Sequence, residues 1–201
     1  MIQKISALII VLITVPSYSH DLVDIKKLCP TVVCDIRYAT PNNFTKKKIY
    51  AVPGCYLHKD AAQALKKVVD ELAKEGLGIK IFDAYRPLSA QWTLWEAYPV
   101  LGYVADPRKG GRHTRGVSVD LTLINLADGT ELAMPTPFDS FEKTAWADYQ
   151  NLPAKILVNR SKLQAIMRKY GFTTIKKEWW HFDLNNYQKY PPLDIDFERL
   201  S

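Results

Sequence analysis

The sequence predicts one α+β domain, a small antiparallel sheet with flanking helices. Three observations point there. Apolar residues recur at three- and four-residue steps in three segments, as they do on helices with one buried face. Between these lie short runs that alternate apolar and polar residues or are rich in β-branched ones, linked mostly as hairpins by turn residues such as Asp128-Gly129. The segregated order of the two kinds of segment favours α+β over a parallel α/β sheet. A chain of 201 residues, 47% hydrophobic and 24% charged, is long enough for one core, so no second domain is needed. No internal repeat or low-complexity tract interrupts it.

Residues 1–19 open on Lys4, continue through a short apolar run and close on Ser17-Tyr18-Ser19. This predicts a cleavable signal peptide cut after Ser19, with residues 20–201 as the mature domain. The run is too short for a stable membrane anchor, so a periplasmic or secreted protein is expected. Thr31–Tyr38, rich in β-branched residues, predicts a strand, followed by a loop through Lys48. Ala61, Leu65, Val68, Val69 and Leu72 predict a helix over residues 59–74, stopped at Gly76. A short strand around Ile79 and Ile81 then runs into Asp83-Ala84-Tyr85-Arg86-Pro87.

Ser89 is positioned to cap a second helix carrying Trp92, Leu94, Trp95 and Ala97, ending near Pro99. Val117–Leu123 alternates like a half-buried strand with Ser118, Asp120 and Thr122 on its polar face. A third helix is expected from Asn159 or Ser161, with Leu163, Ile166, Met167 and Tyr170 buried and Gly171 ending it. Glu178–Asp183 reads as the last strand, and the residues after Asp183, including Pro191-Pro192, as a tail.

The formal charge is +6, or +5 once Lys4 leaves with the leader, and it is dispersed. Lys46-Lys47-Lys48 reads as a solvated loop, so no nucleic-acid partner is expected. Cys29, Cys34 and Cys55 lack a zinc-binding pattern. In an oxidising compartment two of them can pair, and the sequence leaves the choice open.

The chemistry concentrates in two stretches, Gly111–Asp120 and Glu178–His181. Catalytic zinc takes three nitrogen, oxygen or sulfur donors and keeps a fourth position for water. His113 and Asp120 can meet one ion if the Gly116 turn folds the histidine back over the strand that bears the aspartate. His181 supplies the second imidazole. Glu178, three residues before it, is a candidate general base. On a regular strand Glu178 and His181 face opposite sides, so a bend or bulge is expected between them. Trp179 and Trp180 are expected to wall the pocket. Arg86, just past a strand end, sits where loops carry reacting groups on a rigid base.

Five ordered motifs carry a resemblance: Asp35-Ile36-Arg37-Tyr38-Ala39-Thr40 with Asn43-Phe44; Asp83-Ala84-Tyr85-Arg86-Pro87; His113-Thr114-Arg115-Gly116 through Asp120-Leu121-Thr122; Phe138-Asp139; and Glu178-Trp179-Trp180-His181-Phe182. Over residues 31–185 the chain resembles the zinc D-alanyl-D-alanine dipeptidases, the group that includes the vancomycin-resistance dipeptidase. The resemblance implies one zinc ion per chain on His113, Asp120 and His181, and Glu178 as the base that later protonates the leaving amine. It implies Arg86 at the oxyanion, and Tyr38 and Asp139 holding the free ammonium of a small D,D-dipeptide substrate. The role it implies for an exported enzyme is turnover of cell-wall fragments.

Two departures stand out. Gly111 and Arg112 occupy positions where members often carry serine, which makes Arg112 a candidate donor to the substrate carboxylate, and Ser118 replaces a small apolar residue. Two other readings fit the same residues: a peptidoglycan D,D-carboxypeptidase or endopeptidase with an open groove, and a zinc-stabilised module that binds wall fragments without turnover.

Overall fold

The computed structural model describes residues 21–99 and 103–200; the signal-peptide expectation for residues 1–19 lies outside them. The described residues open with β1 (Leu22–Asp24), α1 (Ile25–Leu28) and β2 (Val33–Cys34). Next come β3 (Tyr56–His58), α2 (Lys59–Ala73), β4 (Leu77–Asp83) and α3 (Leu88–Ala97). The second half holds β5 (Ser118–Asn125), α4 (Ala154–Lys169), β6 (Phe172–Ile175) and β7 (Glu178–Leu184). Five strands form one sheet in the order β2-β4-β5-β7-β6, and β1 pairs with β3 in a separate ribbon. All pairings are antiparallel except β2 with β4. The α+β reading therefore holds, with one parallel edge.

The predicted helix over residues 59–74 forms as α2 and buries Ala61, Ala62, Leu65, Val68, Val69 and Leu72, the face set by the three-and-four spacing. The His58 ring accepts from the Asp60 amide at 3.2 Å at its start, and Gly76 at φ +71° turns the chain away after its end. Strand β5 is central, and its two faces are both buried. Val119, Leu121 and Leu123 enter the apolar core, while Ser118, Asp120 and Thr122 on the opposite face are equally enclosed. The expectation of a half-buried strand is corrected: the alternation marks two chemically different interiors, one apolar and one polar.

Other corrections have local causes. The strand expected over Thr31–Tyr38 shrinks to two residues, because the chain enters a 3₁₀ turn at Arg37–Ala39 that buries Tyr38. Helix α3 starts after Pro87, not at a Ser89 cap; Ser89 instead bonds through its amide and hydroxyl to Asp194. Helix α4 begins at Ala154 behind Pro153, whose fixed φ suits a helix start, and Asn159 lies inside it, donating to the Ala133 carbonyl at 2.9 Å. Strand β6, with its hairpin to β7, had no reading in the sequence; Thr173 and Thr174 dilute its apolar signal.

The segment after β7 is packed rather than trailing. The Leu193 amide donates to the Thr114 carbonyl at 2.7 Å, and the Leu88 amide donates to the Leu193 carbonyl at 3.1 Å. The Tyr85 hydroxyl accepts from the Ile195 amide at 2.7 Å, and buried Phe197 stacks on Tyr56 with ring centroids 6.1 Å apart. Apolar Leu193, Ile195 and Phe197 make this segment a strap across the base of α3 and the turn that bears His113. Among the described residues no helix is long and apolar enough to cross a membrane.

Candidate metal centre and substrate cavity

Strand register assembles the site. In the β5–β7 pairing Asp120 lies opposite His181 and Ser118 opposite Asp183. Directly opposed residues of an antiparallel pair stand about 5 Å apart, so two polar pairs share one face. On the other flank of β5, the register with β4 slips between Ile81 and Asp83, which sets Asp83 opposite Asp120. His113 comes from a 3₁₀ turn, His113–Arg115, closed by Gly116 in the left-handed conformation at φ +67°. A Cβ at Gly116 would stand 2.9 Å from Leu22 and 3.2 Å from the His58 nitrogen, so both conformation and space require glycine. The Gly116 carbonyl also accepts from the His58 amide at 2.7 Å, tying the turn to β3.

The three sequence-chosen donors meet. His113 Nε2 lies 3.3 Å from Asp120 Oδ2 and 3.1 Å from His181 Nδ1, and His181 Nδ1 lies 2.9 Å from Asp120 Oδ1. One donor atom from each residue falls within 4.8 Å of the others, and all three side chains are buried. The outward ring nitrogens have partners. His113 Nδ1 donates to the Ala84 carbonyl at 2.7 Å and His181 Nε2 donates to Asp183 Oδ1 at 2.9 Å. These bonds select the tautomers that leave lone pairs on His113 Nε2 and His181 Nδ1, facing Asp120. Burial opposes ionisation of Asp120, but His113 and His181 hold its carboxyl well below the usual carboxylate range. Burial opposes a charge on His181, but Asp183 and Asp120 hold its pKa well above the ordinary value, so a zinc ion would bind there in place of a proton. Once deprotonated, two imidazoles and one carboxylate, each oriented from behind, fit a zinc ion.

Asp183 is the hub of that outer layer. It accepts from the Ser118 hydroxyl at 2.6 Å and from Arg112, whose guanidinium also lies over the Tyr187 ring at 4.7 Å. Ser118 thus orients the carboxylate behind His181. Arg112 lines the cavity, yet its charge is engaged by Asp183.

Glu178 reaches the same point across the anticipated irregularity. The β6–β7 register shifts between Thr174 and Ile175, and Glu178 Oε2 comes within 3.8 Å of His181 Nδ1. Burial, aided by the Asp120 charge and opposed by those of His181, His113 and Arg86, pushes the Glu178 carboxyl up to about 7. Arg86 enters from the loop after β4. Its Nε and Nη2 donate to Asp83 Oδ2 at 3.0 and 2.6 Å, and Nη1 donates to Gln91 Oε1 at 2.7 Å. Asp83 is fully buried and also accepts from the Tyr50 hydroxyl at 2.8 Å. This arrangement fixes the guanidinium plane over the Tyr38 ring, 4.9 Å from its centroid.

These groups line a cavity of about 340 Å³ that includes Tyr38, Phe44, Arg86, Asp139, Glu178 and Trp180 as well as the three donors. Asp139 sits at φ +63°, a conformation that aspartate tolerates better than most residues. Its Oδ1 accepts from the Tyr38 hydroxyl at 3.1 Å, while Oδ2 is buried without a protein partner. Burial and the nearby Asp120 charge raise the Asp139 carboxyl to about 8, against the Tyr38 bond and Arg86. Of the two tryptophans expected as walls, Trp180 lines the cavity. Trp179 is instead a core residue whose Nε1 donates to Thr136 Oγ1 at 3.0 Å, because adjacent strand residues point to opposite faces.

The sequence pattern assigns no role to Asp83, Asp183, Tyr50 or Gln91. Asp183 was within reach: it lies two residues beyond His181 and so shares its face. Asp83 and Gln91 lie three and five residues from Arg86, and their roles depend on how the loop after β4 folds, while Tyr50 reaches Asp83 from a distant segment.

The sequence profile of the D-Ala-D-Ala dipeptidase family matches residues 18–198. The chain is 40% identical over 181 residues to a D-alanyl-D-alanine dipeptidase of Escherichia coli, spanning 90% of this chain and 93% of that relative. It is 31% identical over 186 residues to the D-alanyl-D-alanine dipeptidase of Enterococcus faecium, spanning 81% of this chain and 90% of that relative. A D-alanyl-D-alanine dipeptidase of Streptomyces coelicolor matches at 30% identity over 88% of this chain and 97% of its own length.

Proposed function

This chain belongs to the D-Ala-D-Ala dipeptidase family, and we propose that it is an exported, zinc-dependent hydrolase of D-alanyl-D-alanine or closely similar D,D-dipeptides. The observation that carries the reading is the convergence of His113, Asp120 and His181, with Glu178 and Arg86 on the same cavity wall. Zinc held by those three residues would supply the Lewis acidity that brings the pKa of a water to about 7. Glu178 stands beside the donors to take a proton from the attacking water and return it to the leaving amine. Arg86, anchored by Asp83 and Gln91, presents fixed positive charge where the carbonyl oxygen becomes negative. None of its donors has to be reoriented during the reaction, because three of them are already tied to the protein.

Asp139 and Tyr38 give the substrate its orientation. Burial holds the Asp139 carboxyl up at about 8, and an ammonium group placed against its unpartnered Oδ2 would supply the counter-charge and hydrogen bonds that favour the carboxylate. That need for a free amine favours a dipeptidase over a cleaver of longer peptidoglycan stems. In Asp139→Asn the KM for free D-Ala-D-Ala is expected to rise roughly ten- to hundredfold, the loss of one charge-assisted hydrogen bond. An N-acetylated dipeptide should be a poor substrate for both forms. Preferred turnover of the acylated substrate by the parent protein would instead support the carboxypeptidase reading.

Residues 1–19 have the pattern of a secretory leader, which supports work in the periplasm or outside the cell on fragments of the wall. The direct test is release of free D-alanine from D-Ala-D-Ala by purified protein containing one zinc ion per chain. Chelation should abolish turnover and added zinc restore it. Chelator-resistant activity would refute the metal mechanism, and inertness toward every D,D-dipeptide tried would refute the substrate assignment.

A further inference from the structure

The three cysteines divide into a pair and a singleton. Cys34 is the last residue of β2, aligned with Ile81 of β4, and Cys55 immediately precedes β3, its carbonyl accepting from the Ile25 amide at 2.9 Å. The two thiols are in hydrogen-bond contact with each other. Cys29 is the buried C-cap residue of α1. Cys34 is half-buried and Cys55 buried, so an oxidant reaches Cys34 first.

We propose that Cys34 and Cys55 form a disulfide that fixes the cavity-wall segment between them, leaving Cys29 as a buried thiol. Residues 35–54 contain no regular element beyond the 3₁₀ turn at Arg37–Ala39. Yet they carry Tyr38 and Phe44 of the cavity wall and Tyr50, which bonds to Asp83. A covalent link across the two ends of such a segment removes conformations from the unfolded chain and restrains the wall in the folded one.

The oxidant is a disulfide, either oxidised glutathione or the disulfide of an oxidoreductase. The Cys34 thiolate attacks one of its sulfurs, a mixed disulfide forms and the first thiol leaves. Cys55, deprotonated in turn, attacks the Cys34 sulfur and expels the second. One S–S bond is made and one broken, and the two electrons and two protons end on the departing thiols. The hydrogen bond from Cys55 draws the Cys34 thiol below its ordinary value despite burial, which favours Cys34 as the first attacker.

The test is peptide mapping of the folded, full-length protein after incubation with oxidised glutathione and alkylation without reduction. The expected product is a peptide pair linking Cys34 to Cys55 at a mass lower by two hydrogens, with Cys29 alone alkylated. Any link through Cys29, three free thiols, or glutathione retained on Cys34 would overturn the assignment. Cys29→Ser should keep the link and Cys55→Ser should lose it; should the second variant fail to fold, the first still decides. The wall-fixing half rests on the dipeptidase reading. On reduction the KM for D-Ala-D-Ala should rise about two- to tenfold with kcat nearly unchanged, the cost of ordering one or two side chains again. An unchanged KM in a protein with the mapped link overturns that half, whereas failure of the dipeptidase reading leaves the peptide map untouched.

Discussion

Glu178→Gln should lower kcat by about 10²- to 10⁴-fold, the usual contribution of a positioned general base, while zinc stays at one ion per chain. The substitution keeps the side chain's size and removes its capacity to accept a proton. Metal content should survive because Glu178 is not among the three converging donors; its nearer oxygen lies 3.8 Å from His181 Nδ1. KM should move little, since the groups proposed to hold the substrate ammonium are Tyr38 and Asp139, elsewhere on the cavity wall. Burial brings the carboxyl to about 7, so near neutral pH the same group can accept a proton and give it back. Steady-state kinetics with elemental analysis decides the matter: a variant that keeps its zinc and more than a tenth of parental kcat would remove Glu178 from the mechanism.

Arg86→Met should cost about 10²- to 10³-fold in kcat, the scale measured when one oxyanion donor is removed. It should also destabilise the fold by roughly 3–5 kcal/mol, because Asp83 is left charged, fully buried and without its guanidinium partner. The two effects are separable. Asp83→Asn/Arg86→Met removes both charges and should recover most of the melting temperature, with Tyr50 still donating to residue 83. Its kcat should stay low. Recovery of activity together with stability would mean that Arg86 serves only the packing of Asp83.

Much of this site was legible in the sequence, for a physical reason. His113, Asp120, Glu178 and His181 are polar residues placed beside strands and turns whose local patterns are strong, and the Gly116 turn and the irregularity after Glu178 follow from side-chain periodicity. What escaped was whatever depends on register. Nothing local says that Asp120 stands opposite His181 or that Asp83 is brought opposite Asp120 by a slipped residue, because pairing is set by the packing of whole strands. The short elements escaped for a related reason. β1, β2 and β3 are two or three residues long, below the length at which alternation can be read, and they form because partners elsewhere complete them. The C-terminal segment reads as a tail in the sequence because Pro191-Pro192 punctuates it. Its anchoring residues Leu193, Ile195 and Phe197 are spaced by two, a pattern short enough to be missed.

That strap has a bearing on when the centre can come into being. Leu193 grips Thr114, the neighbour of a metal donor, so the loop holding His113 gains its full support only when residues near the end of the chain arrive. The geometry around His113 is therefore completed by tertiary closure of a segment distant in sequence, and not by the turn's own residues alone.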